Sequence, residues 1–143
     1  MDIPDLNRQL IRALRSLGRI IRALSEGRAS QKRVLRLVLE SGSVTQQALT
    51  ARLNVQPGSA SEVIRRLEET GLIVRAPNAL DRRTSDIRLT PEGEVQANRA
   101  EAEIQAQRQD MFACLSEEEK NQLLSLLTRL SDDWHIRYAD RQK

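Results

Sequence analysis

The sequence predicts a mainly α fold of the α+β class, a run of helices interrupted once by a β-hairpin. Three observations carry that expectation. Apolar residues recur at helical spacing through most of the 143 residues. Strict alternation is confined to one short stretch, where Ile87 and Leu89 alternate with Asp86 and Arg88. Aromatic residues make up only 2% of the chain, and a core of Leu, Ile, Val and Ala suits packed helices better than a β-sandwich.

The elements follow in order. After Pro4, a first helix places Ile3, Leu6, Leu10, Leu14, Leu17, Ile21 and Leu24 on one face and Arg8, Arg12, Arg15, Arg19 and Arg22 on the other. Ser25-Glu26-Gly27 ends it. Ser30 is placed to cap a second helix with Val34, Leu35, Val38 and Leu39 inward, and Ser41-Gly42-Ser43 breaks it. Thr45 caps a short third helix whose Ala48, Leu49 and Leu53 share a face. It stops at Asn54, a residue that tolerates the left-handed conformation of a helix end. Pro57 then opens a fourth, with its fixed φ suited to the first turn and Ala60, Val63, Ile64 and Leu67 inward. Two short helices joined by so tight a turn have the layout of a helix-turn-helix.

Leu72 to Arg75 reads as a strand and Asp86 to Leu89 as its hairpin partner. The loop between them, A-P-N-A-L-D-R-R-T-S, carries two adjacent arginines. A hairpin directly after the second helix of the pair is a wing, and an arginine at its tip can reach the minor groove of DNA. A long helix from Pro91 to about Leu115 follows, with a weak stripe of Val95, Ala97, Ala100, Ile104, Met111 and Leu115. Ser116 and Glu119 make a capping box for the last helix, striped by Leu123, Leu127, Leu130 and Trp134 and widened by Leu124 and Leu126. So broad an apolar face on an end helix implies a partner, most simply the first helix of another copy.

Composition narrows the function classes. No run of 18 apolar residues crosses a membrane, and the start, MDIPDLNRQL, lacks the layout of a secretory signal. One cysteine, Cys114, permits no internal disulfide, which fits a cytoplasmic location. Charge is unevenly placed: residues 1–39 carry a net +6, residues 41–90 a net +2 and residues 91–143 a net −4. Twenty of the 23 basic residues are arginine, the side chain suited to bidentate contact with phosphates, guanine edges or carboxylates. A basic front half points to a polyanionic partner.

The stretch G-L-I-V-R-x5-D-R-R-x5-L-T-P-E-G, Gly71 to Gly93, matches without gaps the D-x-R-x5-L-T-x2-G signature of the MarR (multiple antibiotic resistance regulator) family. The upstream helix pair, T-Q-Q-A-L-T-A-R-L-N-V-Q-P-G-S-A-S-E-V-I-R-R-L-E, and the L-S-E-E-E-K segment are similar to that family too. The resemblance covers nearly the whole chain. It implies a winged helix-turn-helix with a two-stranded β-hairpin wing and a helical dimerisation region. The divisions are 1–27 for an N-terminal dimerisation helix, 28–92 for the DNA-binding domain and 93–143 for C-terminal linker and dimerisation helices. It further implies a homodimer on an inverted-repeat operator in double-stranded DNA, a repressor modulated by a small-molecule or redox signal. No cofactor or metal and no membrane partner is implied.

Carried onto this sequence, the resemblance places Gln56, Ser59, Ser61, Glu62, Arg65 and Arg66 toward the major groove. Arg82 and Arg83 sit on the wing, with Arg83 in the minor groove and Asp81 holding its guanidinium. Thr90 caps the helix leaving the wing. Pro57-Gly58 departs from the polar or basic residues that many relatives carry there.

Plainer readings compete. Arg82 and Arg83 could be a solvated loop pair, but groove and phosphate contact is what arginines at such a tip do. Ser59 and Ser61 could be surface serines, Arg65 and Glu62 could satisfy each other, and Glu68 and Glu69 do little beyond solvation. The arginine stripe of the first helix has three readings: an anionic membrane, phosphate, or acids of the C-terminal helices across the dimer. The last is favoured, with Glu92, Glu94, Glu101, Glu103 and Asp110 supplying the opposite sign. Cys114 reads better as a small buried hydrophobe than as a redox sensor. His135, the only histidine, reads as a surface residue. No Cys or His cluster has metal spacing and no glycine loop cradles phosphate, so enzyme chemistry has little support. A winged-helix scaffold for protein interaction, without specific DNA binding, is the alternative function. A membrane-peripheral adaptor using the first helix is third.

Overall fold

The computed structural model describes residues 5–27 and 30–141, so the expectations resting on Ile3 and Pro4 lie outside the described residues. The chain forms two compact units, Met1–Ala100 and Glu101–Lys143. In the first, helix α1 (Leu6–Leu24) starts where the Asp5 carboxylate accepts the Asn7 N–H at 3.0 Å, and it buries none of its residues. Helix α2 (Gln31–Ser41) begins as expected at Ser30, whose hydroxyl accepts the Arg33 N–H at 3.1 Å. Gly42 ends it at φ 73°, a conformation that costs a side-chain-bearing residue energy.

Helix α3 (Gln46–Leu53) is capped by Thr45, which accepts the Ala48 N–H at 3.1 Å, and stopped by Asn54 in the left-handed region at φ 53°. Three residues later, helix α4 (Pro57–Glu69) opens with proline in its first turn. These are the two helices and the turn that the spacing predicts.

Strands β2 (Ile73–Pro77) and β3 (Ser85–Leu89) form the antiparallel wing, with Arg75 opposite Ile87 and Val74 opposite Arg88. A third strand, β1 (Val44–Thr45), pairs Val44 with Ile87 and Thr45 with Asp86. The sheet therefore has three strands, ordered β1-β3-β2, where the sequence suggested two. Two residues are too short a run for any periodicity to register. The link matters, because β1 leads straight into α3 and ties the wing to the front of the helix-turn-helix.

The core lies between α2, α3, α4 and the sheet. Val34, Val38, Leu49, Leu53, Ile64, Leu67, Ile73 and Ile87 are fully buried, and no polar residue is buried among the described residues. Each such side chain contributes roughly 1.5–3 kcal/mol by leaving water. Ala48 is exposed, against expectation, since Leu49 and Leu53 alone supply the inward face of so short a helix.

Helix α5 (Pro91–Met111) is shorter than expected, ending four residues before Leu115 in turns closed by Asp110 and Phe112 carbonyls. Of its expected stripe, Ala97 and Ala100 are buried, joined by Gly93, while Val95 is 58% exposed. Small residues are needed there. A Cβ on Gly93 would lie 1.9 Å from the Leu72 carbonyl oxygen, so only glycine lets the helix start this close to the strand. In the second unit, helix α6 (Glu117–Arg137) opens with the expected capping box of Ser116 and Glu119, and none of its residues is buried. A short 3₁₀ turn, Ala139–Arg141, ends the described chain.

Candidate nucleic-acid interface

Helix α4 turns Ala60, Ile64 and Leu67 inward, which leaves Ser59, Ser61, Glu62, Arg65 and Arg66 exposed on its other side, together with Gln56 at its start. The turn before it is held from outside. Arg33 donates to the carbonyls of Leu53 at 3.1 Å and Arg52 at 3.3 Å, placing a cation where the α3 dipole ends. Sequence reasoning did not single out Arg33; a cation one helix upstream has no local signal.

The arginines of α4 are partnered. Arg65 pairs with Glu69 at 2.6 Å and Arg66 with Glu62 at 2.7 Å, both one helical turn apart. This corrects the expected Arg65–Glu62 pair, because the four-residue spacing aligns these long side chains better than three. It also corrects the reading of Glu68 and Glu69 as merely solvated: Glu68 accepts from Arg75 Nε at 2.7 Å. Exposed pairs of this kind are worth about 0–1 kcal/mol, so a phosphate can outbid the carboxylates.

The wing loop is shaped by two side chains. Asn78 Oδ1 accepts the N–H groups of Leu80 and Asp81 at 2.9 and 3.0 Å, and its Nδ2 donates to Asp86 at 2.8 Å. Asp81 Oδ1 accepts the Arg83 N–H at 3.0 Å but stands 4.0 Å from that residue's Nε. Asp81 thus fixes the backbone of the turn more tightly than the guanidinium, which is 94% exposed and projects from the tip. Arg82 beside it is exposed, with no ion pair among the described residues.

At the base of the wing, Thr90 does two jobs. Its hydroxyl accepts the Gly93 N–H at 3.0 Å, capping α5, and donates to the Gly71 carbonyl at 2.6 Å. An open groove of about 600 Å³ runs between α3, the start of α4 and the wing, bordered by Gln46, Pro57, Ser61 and Arg83. Gln46 and Arg75, which the sequence reading passed over, meet beside it at 2.7 Å. Of the expected contact residues, Ser61 and Arg83 therefore share one groove, while Arg65 and Arg66 are engaged within α4.

A helix-turn-helix core followed by a wing with an arginine tip invites comparison with known proteins. The family model for MarR matches residues 28–85. A relative from Thauera aromatica, provisionally named as a transcriptional regulatory protein for the hcr operon, is 34% identical over 87% of this chain and 75% of its own. The chain belongs to the MarR family.

The HTH-type transcriptional regulator YwhA of Bacillus subtilis is 30% identical to this MarR-family chain over 68% of it and 70% of that relative. Among solved structures, the YusO protein of B. subtilis is similar with a TM-score of 0.67 and 25% identity, over 92% of this chain and 99% of that one. A mutant MarR of Escherichia coli in complex with operator DNA shares the fold, with a TM-score of 0.65 over 91% of this chain and 99% of that one at 24% identity. The protein is a MarR-family transcriptional regulator with the family's winged-helix fold. No helix of the described residues is long and apolar enough to cross a membrane.

Proposed function

We propose that this MarR-family regulator is a cytoplasmic homodimer that represses transcription from an inverted-repeat operator and responds to a small-molecule or redox signal. In this reading residues 28–92 bind DNA, and residues 1–27 and 93–143 build the dimer. The observation that carries it is the placement of Ser61 of α4 and Arg83 of the wing on one groove, with the Arg83 guanidinium reaching outward beyond it. Arg83 enters the minor groove, Arg82 meets phosphate, and the α4 residues Gln56, Ser59, Ser61, Glu62, Arg65 and Arg66 face the major groove. Relatives lend support: the homoprotocatechuate degradative operon repressor of E. coli is 32% identical over 68% of this chain. PcaV of Streptomyces coelicolor, similar at 25% identity with a TM-score of 0.59, has been solved with its natural ligand.

The dimer reading draws on uncovered apolar faces. Leu6, Leu10, Leu17, Ile20, Ile21 and Leu24 of α1 are exposed, as are Leu123, Leu124, Leu126 and Leu127 of α6. Faces of that extent on a soluble chain mark an interface.

Genomic-fragment selection, followed by fluorescence anisotropy on the best site across a salt series, tests the proposal. Wild type binds one inverted repeat as a dimer with a steep salt slope, and Arg83→Ala loses about 1–3 kcal/mol. A chain that enriches no fragment is a protein-interaction scaffold instead. A tight site indifferent to Arg83→Ala keeps the DNA function and discards this account of the wing.

A further inference from the structure

A chain of hydrogen bonds crosses three elements beside the groove. Glu68 near the end of α4 accepts from Arg75 Nε at 2.7 Å, Arg75 Nη1 donates to Gln46 Oε1 at 2.7 Å, and Gln46 Nε2 donates to Ser61 Oγ at 3.1 Å. The direction of this chain is dictated by chemistry. A guanidinium has donors and no acceptor, so the Gln46 amide must turn its oxygen to Arg75 and its NH₂ to Ser61. Ser61 must then accept, and its own hydrogen is left to point elsewhere. No acceptor for that hydrogen exists among the described residues. Ser61 is exposed and borders the groove shared with Arg83.

We infer that Arg75, acting through Gln46, presents Ser61 as a hydrogen-bond donor to the edge of a DNA base, making Gln46 and Arg75 positioning residues for base preference. The inference rests on the proposed DNA reading of α4. A hydroxyl hydrogen buried at the interface without an acceptor would cost more than a poor contact, so the preferred base is guanine, with O6 and N7, or thymine, with O4, over cytosine, which offers only its N4 donor. Glu68 steadies the guanidinium that starts the chain, so a residue at the far end of α4 bears on what its beginning reads.

Gln46→Glu reverses the chain with a minimal change of shape. A carboxylate accepts from Arg75 and from Ser61 alike, so the Ser61 hydrogen turns inward and only lone pairs face the DNA. Cytosine, with its N4 donor, then becomes the favoured partner. The variant should fold, since an acid at the first residue of a helix is favourable.

The experiment is anisotropy on duplexes carrying each base pair in turn at every step of the selected operator, for wild type, Ser61→Ala and Gln46→Glu. Wild type should favour guanine or thymine over cytosine at one position per half-site by roughly three- to tenfold. Ser61→Ala should flatten that position alone, and Gln46→Glu should move the preference at the same position toward cytosine. A Gln46→Glu variant with the wild-type base profile, or one whose affinity falls evenly on every duplex, overturns the inference and leaves the DNA reading standing. Wild type without a preferred sequence overturns both.

Discussion

Single residues in this chain act through backbone geometry as much as through their side chains. Gly93 is the sharpest case, because the Leu72 carbonyl occupies the space a Cβ would need. Gly93→Ala forces the start of α5 away from the strand, and chemical denaturation should record a loss of about 1–3 kcal/mol or more. Thr90 holds the same junction, and Thr90→Val removes both its cap and its bond to Gly71. A fall of about 1–2 kcal/mol is expected by the same measurement. Glu119 gives a pH prediction. The Ser116 N–H, followed by its hydroxyl, holds the Glu119 carboxyl below the usual carboxylate range. A depressed pKa stabilises the fold above the unfolded-state value and loses that contribution as pH falls through the folded one. Melting curves of wild type and Glu119→Gln should differ near neutrality and converge under acid. Cys114 corrects an expectation at this scale: it is exposed in the single chain, where its apolar neighbours in sequence suggested burial. His135 is exposed as expected, its Nδ1 lying 2.7 Å from the Ser131 carbonyl.

Helix starts were the most legible features. Ser30, Thr45, Pro57 and Ser116 stand where the sequence placed them, because a cap is a local agreement between one side chain and the next turn's N–H groups. Asn54 belongs with them, since its side chain tolerates φ 53° better than a branched one. Asn54→Val should lower thermal stability by about 1–2 kcal/mol and loosen the turn before α4. What local pattern missed is equally specific. The two residues of β1 became a strand only because β3 lay beside them. Val95 faces outward because the inward side of α5 is chosen by its approach to Leu72, where only small residues fit. Arg65 found Glu69 instead of Glu62 through side-chain reach along the helix.

At the scale of the whole molecule, the proposed dimer is tested through the apolar residues that α6 leaves exposed. Leu124 is 63% exposed and contributes little to its own unit, so Leu124→Glu should leave the helical content intact. Sedimentation equilibrium should nevertheless show weaker dimers, and operator affinity should fall with protein concentration more steeply than in wild type. A variant that sediments as wild type removes α6 from the proposed dimer. The arginines of the α1 stripe make no ion pair among the described residues.

The sequence by itself determined the order of helices, the caps at Ser30, Thr45, Thr90 and Ser116, the wing and its arginine tip, and with the Gly71–Gly93 signature the family. All of these are carried by neighbours within a few residues, where spacing and cap chemistry speak directly. Only the tertiary structure decided which side chains meet across the fold: Arg33 on the end of α3, Asn78 on Asp86, and Glu68, Arg75, Gln46 and Ser61 in one chain. Those partners are up to 29 residues apart, and folding alone brings them within hydrogen-bonding distance. A polar side chain's partner at that separation leaves no period and no motif in the sequence.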